Sequence, residues 1–131
     1  MHTGDVLPEQ TFTVTRADLV RYAGASGDRN PIHWSDRVAT SVGLPGVIAH
    51  GMFTMALAAR ALDTWAGGPG RVRELSCKFT KPVVVPDDDT GVEVRVSGTV
   101  KQVTDTGVQV ALEVRCGEEK VLGQPKAVLL A

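Results

Sequence analysis

The chain has 131 residues, of which 43% are apolar and 22% charged, and its formal net charge is −1. That length suits one domain, 1–131, able to bury a core unaided, and the composition excludes a mainly disordered chain. The near-neutral balance leaves no basic face for nucleic acid, and the widely separated Cys77 and Cys116 argue against a disulfide or zinc scaffold. No apolar run is long enough to cross a bilayer, so no membrane partner is expected. The first residues lack a basic stretch followed by an apolar run, so no signal peptide is expected and the expected location is cytoplasmic.

In chain order, Gln10 to Val14 alternates and predicts a short opening strand. Thr15 stands three residues before Asp18, a capping-box pair that starts a helix. Leu19, Val20, Tyr22 and Ala23 supply its apolar face, and the run Gly24-Ala25-Ser26-Gly27 ends it. Glycine and proline dominate from Asp28 to Pro45, and Pro31 cannot sit inside a helix. Asp36 to Ser41 predicts a short helix closed by Gly43 and Pro45. A longer helix is expected from about Gly51 to Trp65, stopped by Gly67-Gly68-Pro69-Gly70. Its apolar residues, Met52, Phe53, Met55, Leu57, Leu62 and Trp65 with four alanines among them, cover most of its circumference. A helix that is apolar nearly all round is buried.

The second half reads as strands. Residues 71–80, 91–103, 107–116 and 121–130 are Val-rich and mostly alternate, as half-buried antiparallel strands do. Val103 breaks phase and predicts a bulge. Thr104-Asp105-Thr106-Gly107 and Gly117-Glu118-Glu119 have hairpin-turn character. Pro82, Pro86 and Asp87 to Asp89 mark a longer connection. The sum is an α+β architecture, a curved antiparallel sheet wrapped around one buried helix, which is the hot-dog arrangement.

The chemically informative residues lie between Ser26 and Met52. Asp28 and His33 stand five residues apart across a proline-stiffened turn, and a carboxylate beside an imidazole can divide proton removal and delivery. An Asp-x-Asn-Pro turn alone is ordinary turn chemistry, and a lone loop histidine is more often a packed one. The second string, Ala49-His50-Gly51-Met52, raises the chemical reading because it opens a buried helix. Unpaired N–H groups and the positive dipole end there can stabilise an oxyanion. For His50 a catalytic role stands beside the blander ones, packing and helix-start bonding. His2, His33 and His50 with Asp28 match no metal-ligand spacing, so no metal is expected. Arg71, Arg73, Lys78 and Lys81 read first as a solvated strand face and second as a phosphate or acidic-partner surface.

The string Tyr22-Ala23-Gly24-Ala25-Ser26-Gly27-Asp28-Arg29-Asn30-Pro31-Ile32-His33, followed by Ala39 and by Ile48-Ala49-His50-Gly51-Met52, resembles the hydratase 2 signature of the MaoC-like dehydratases. Within that family it is most similar to the B subunits of actinobacterial (R)-3-hydroxyacyl-ACP dehydratases. Asp18-Leu19-Val20, Trp34 and Phe79-Thr80 extend the match along most of the chain. The family has an acidic residue two places after the histidine; here that place is Ser35, with Asp36 next, a departure expected to touch loop packing rather than competence.

The resemblance implies (R)-specific hydration of trans-2-enoyl thioesters, or the reverse dehydration of 3-hydroxyacyl thioesters. It implies Asp28 and His33 as the catalytic pair, Asn30 as the orienting residue and the Gly51 N–H as the oxyanion donor. His50, Met52 and Phe53 would line the substrate. No cofactor is implied. The expected partners are an acyl-CoA or acyl-ACP substrate and a second hot-dog chain, a homodimer first and a heterodimer as the rival. Two other readings fit the fold: a non-catalytic partner subunit, against which the trio Asp28, Asn30 and His33 speaks, and an acyl thioesterase, against which the Asp-x-Asn-Pro-x-His string speaks.

Overall fold

A computed structural model describes residues 1–131. The strands β1 (Val6–Val14), β2 (Val72–Phe79), β3 (Val92–Thr104), β4 (Gly107–Cys116), β5 (Glu119–Lys120) and β6 (Leu122–Leu129) form one antiparallel sheet. Its order is β1-β3-β4-β6-β2, with the two-residue β5 paired to β4. The helices are α1 (Arg16–Ser26), α2 (Asp36–Ser41) and α3 (Gly51–Trp65), with a 3₁₀ turn at Pro31–His33.

Local signals account for most boundaries. Thr15 and Asp18 form the expected capping box: the Thr15 hydroxyl accepts from the Asp18 N–H while the Asp18 carboxylate accepts from the Thr15 N–H. Gly27 ends α1 at φ 79°, a left-handed cap that glycine adopts without Cβ strain. Two boundaries differ from expectation. The opening strand begins at Val6, not Gln10, because a bulge between Leu7 and Gln10 carries the chain past Pro8. Proline is tolerated there because β1 is an edge strand, and the Pro8 carbonyl accepts the Trp65 indole N–H at 2.9 Å. The bulge expected at Val103 falls between Val100 and Gln102.

The helix α3 has the expected limits but not the expected all-round burial. Its buried residues are Thr54, Leu57, Ala58, Ala61 and Leu62, a single stripe at helical spacing, while Met52 is 56% exposed. The sheet has one concave side, so it covers one side of the helix only. Leu57, Ala58, Ala61 and Leu62 of the stripe share one core cluster with Val94, Val96, Val100, Val110 and Val114 of the sheet. Ala58 and Ala61 have no exposure at all, and their small side chains bring helix and sheet close.

Residues 47–49 run antiparallel to 83–85. The Ala49 N–H donates to the Val83 carbonyl at 2.9 Å, and the Val85 N–H to the Val47 carbonyl at 3.0 Å. A polar clamp fixes this pair to the helices. One Asp36 oxygen accepts from the Val47 N–H at 3.0 Å and from Arg16 at 2.8 Å, while Arg16 Nε donates to the Val85 carbonyl at 2.6 Å. The position the family gives to an acidic residue, Ser35, caps α2 through the Val38 N–H.

Candidate active site

The loop between α1 and the 3₁₀ turn is stitched by its own short side chains. Ser26 Oγ accepts from the Asp28 N–H at 3.1 Å, and Asp28 Oδ1 accepts from the Asn30 N–H at 3.2 Å. Asn30 Oδ1 accepts from the Ile32 N–H at 3.2 Å and so caps the turn that carries His33, with Pro31 at its first position. Asn30 thus governs the backbone under His33 rather than touching the ring.

His33 is 7% exposed, and its Nδ1 lies 2.7 Å from the Ile48 carbonyl. A carbonyl only accepts, so Nδ1 carries the proton and Nε2 is left as the free ring nitrogen of the neutral side chain. The Ile48 N–H in turn donates to the Ile32 carbonyl at 3.2 Å, so one residue grips the turn at both ends. The signature string contains Ile48 but gives it no role, because it acts through its backbone, which leaves no mark in residue type.

His50 is 2% exposed and stands just before α3. Its side chain does not cap the helix. Instead Nε2–H donates to the Asp28 carbonyl at 3.0 Å, and the ring stacks on His33 with centroids 3.8 Å apart and planes 19° from parallel. Tyr22 also packs on the His50 ring, centroids 4.7 Å apart and planes tilted by 58°, and meets Phe53 edge-on. His50 Nδ1 is the one buried side-chain polar atom in the chain without a hydrogen-bond partner. Such an atom costs on the order of 1–3 kcal/mol.

Asp28, His33 and His50 each place one ligand-capable atom within 4.8 Å of the others. Proximity alone would suit a metal ion, but the in-plane lone pairs of two stacked imidazoles lie in nearly parallel planes, with ring centroids 3.8 Å apart, and an ion in one ring plane stands well off the other. His2 is not part of this group; it is exposed, and its backbone N–H donates to Asp5 at 2.7 Å.

Gly51 is the first residue of α3, and neither its N–H nor that of Met52 has an acceptor in the chain. Two clefts meet there. One, of about 260 Å³, is lined by Tyr22, Ser26, Asp28, His50, Gly51, Met52 and Phe79. The other, of about 350 Å³, has a mostly apolar wall including Leu44, Ile48, Val83, Val121 and Leu122, and it shares Gly51 and Phe79 with the first. His33 and Phe53 are not among the residues lining either cleft. The Phe79 ring, 57% exposed, lies over Gly51: a Cβ there would come within 3.1 Å of two of its carbons. Nothing in the residue pattern announced that contact. The basic residues of the strand half are partly occupied, Arg71 and Arg73 on backbone carbonyls and Lys81 on Glu119.

Comparison with known proteins gives this arrangement its relatives. Residues 1–118 match the family model described as the MaoC like domain. The 3-hydroxyacyl-thioester dehydratase X of Mycobacterium tuberculosis is 43% identical over 79 residues, covering 60% of this chain and 27% of that protein's own length. A solved MaoC-like dehydratase superposes with a TM-score of 0.94 at 34% identity, over 99% of this chain and 40% of its own. The R-hydratase PhaJ1 of Pseudomonas aeruginosa, unliganded, gives 0.85 at 29% identity, over 100% of this chain and 82% of its own.

Proposed function

This chain belongs to the MaoC-like domain family, and from that premise we propose that it interconverts trans-2-enoyl and (R)-3-hydroxyacyl thioesters with Asp28 and His33 as its acid–base pair. The observation that carries the reading is the convergence of an Asp28 oxygen and a His33 ring nitrogen, within 4.8 Å, beside helix N–H groups that have no acceptor.

In hydration, the pair holds a water and removes its proton as the oxygen bonds to C3. The C2–C3 electrons shift toward the thioester carbonyl, whose oxygen gains charge. The Gly51 N–H and the positive end of α3 stabilise that oxygen. A proton delivered to C2 completes the addition, and dehydration retraces the same steps. The two groups act as one coupled unit, so neither proton is assigned to a single member. Acyl-CoA and acyl-ACP both present the required thioester. Met52 and Phe79 flank the carbonyl position. The proposal includes a second hot-dog chain at the unpaired edge of β2, because sheet edges are normally covered. A second copy is the base case, and a different subunit is the alternative that sedimentation of the purified chain separates.

The test is hydration of crotonyl-CoA by the purified chain, followed as loss of enoyl-thioester absorbance. Asp28→Asn and His33→Ala run beside it, with folding checked by circular dichroism. Each variant is expected to lose about 10²–10⁴ in rate. Full activity in both folded variants refutes the pair, and release of free thiol would move the assignment to thioester hydrolysis.

A further inference from the structure

We propose that His50 is a positioning residue that holds the Asp28 carboxylate and the His33 ring in working register; the inference rests on the reading of those two as the reacting pair. Asp28 is exposed and lies in a loop whose own bonds reach only Ser26 and Asn30. Through Asn30, whose carbonyl accepts the His33 N–H at 3.0 Å, those bonds reach the His33 backbone, but none holds the His33 ring. His50 spans the two: its Nε2–H holds the Asp28 carbonyl at 3.0 Å while its ring centroid lies 3.8 Å from that of the His33 ring. His33 is fixed on its other side by the Ile48 carbonyl. His50 itself is fixed by its place before α3 and by Tyr22. The helix start, the acid and the imidazole therefore share one rigid reference.

The unpartnered Nδ1 sharpens the argument. A residue present for packing would not keep a buried acceptor without a donor. Phenylalanine would fill the same space, stack on His33 as well, and leave no orphan. What phenylalanine lacks is the N–H to Asp28, and the edge carbon in its place would push the Asp28 carbonyl away.

The experiment compares His50→Phe, His50→Gln and His50→Asn in crotonyl-CoA hydration, with crystal structures of the variants. Glutamine carries its amide N–H where Nε2 stands, and asparagine carries its amide oxygen where Nδ1 stands. His50→Phe is expected to lose about 10²-fold in kcat, the scale of an ångström's misplacement, with KM within about twofold. His50→Gln is expected to recover to within about tenfold of the parent, and His50→Asn to stay as low as phenylalanine. In the crystals the Asp28 carboxylate keeps its approach to His33 in the glutamine variant and withdraws in the phenylalanine variant.

Should asparagine outperform glutamine, His50 serves through Nδ1 on the substrate and the positioning role is overturned. An unimpaired kcat in His50→Phe, or a loss confined to KM, overturns it too. If the phenylalanine variant does not fold, the order of glutamine and asparagine decides. A parent chain inert toward crotonyl-CoA defeats the reading of a hydratase active alone on that substrate, and the variant crystals then still decide whether His50 places Asp28.

Discussion

Replacing Gly51 with proline removes the N–H that the oxyanion role needs and closes a ring carbon onto the nitrogen in its place. Gly51 is the first residue of α3 and its N–H has no acceptor in the chain, so no helix bond is lost. Proline favours that position, and His50 already holds φ −59° and ψ 137°, the extended conformation that a residue before proline prefers. The steric cost is the new Cβ, 3.1 Å from the ring of the half-exposed Phe79, together with the ring carbons Cγ and Cδ, of which Cδ takes the place of the N–H hydrogen. Stability should stay within about 1 kcal/mol of the parent, roughly 4 °C in Tm. Activity should not: losing one donor to a developing oxyanion costs about 10²–10³ in kcat, or ~2.7–4 kcal/mol. Gly51→Ala is the control, since it adds the same Cβ and keeps the N–H. The ratio of proline to alanine rates in enoyl-thioester hydration removes the effect of the shared Cβ and reads the exchange of the N–H hydrogen for Cδ. Equal rates in two variants that both keep activity well above background would refute the backbone-amide role.

Three further outcomes test the fold beneath the site. Leu62→Ala, at a position with no exposure on α3, should cost about 2–5 kcal/mol in urea unfolding, and a loss under about 1 kcal/mol would contradict the packed stripe. Stability should fall on the acid side. Burial pushes Asp18 up, but its bonds from Thr15 and Arg21 hold it lower overall. The Val47 N–H and then Arg16 hold Asp36 low. Burial also raises Glu113, and Arg115 and Lys120 outweigh it. Each carboxylate therefore stabilises the fold above its ordinary range and loses that contribution as pH drops through its depressed value, below about pH 4. Asp18→Asn should shrink the acid-side fall in the urea midpoint, and an unchanged pH profile would remove Asp18 from the account. Burial pushes the Cys77 and Cys116 thiols up, Arg95 partly offsetting it at Cys116, so iodoacetamide should label both slowly at neutral pH and quickly in urea. Equal rates by mass spectrometry would refute the burial.

Features encoded in neighbouring residues were legible. The Thr15–Asp18 box, the limits of α3 and the Asp105-Thr106 hairpin turn each depend on a few adjacent side chains. The grouping of Asp28, Asn30, His33 and Gly51 was legible because the two strings that carry them are individually unusual. What escaped was whatever depends on distant backbone. The Ile48 carbonyl orients His33 without any side-chain signal. The one-sided burial of α3 depends on how far the sheet curls, and alternation records only which face of a strand is apolar. Phe79 reaches Gly51 from a strand that pairs with β6, a partner that no local pattern names.

The sheet order sets a timetable for the nascent chain. β6, made after the other five strands of this sheet, sits between β4 and β2, so β2 has no strand neighbour until Leu122–Leu129 exists. Synthesis from Phe79 to Leu122 takes on the order of seconds, whereas a hairpin such as β3–β4 closes in roughly 1–10 μs. For that interval β2 waits beside an apolar helix stripe with both of its edges bare. Phe79, the residue over Gly51, stands at the end of that waiting strand, so the ring over the oxyanion position can take its final place only once Leu122–Leu129 has been made.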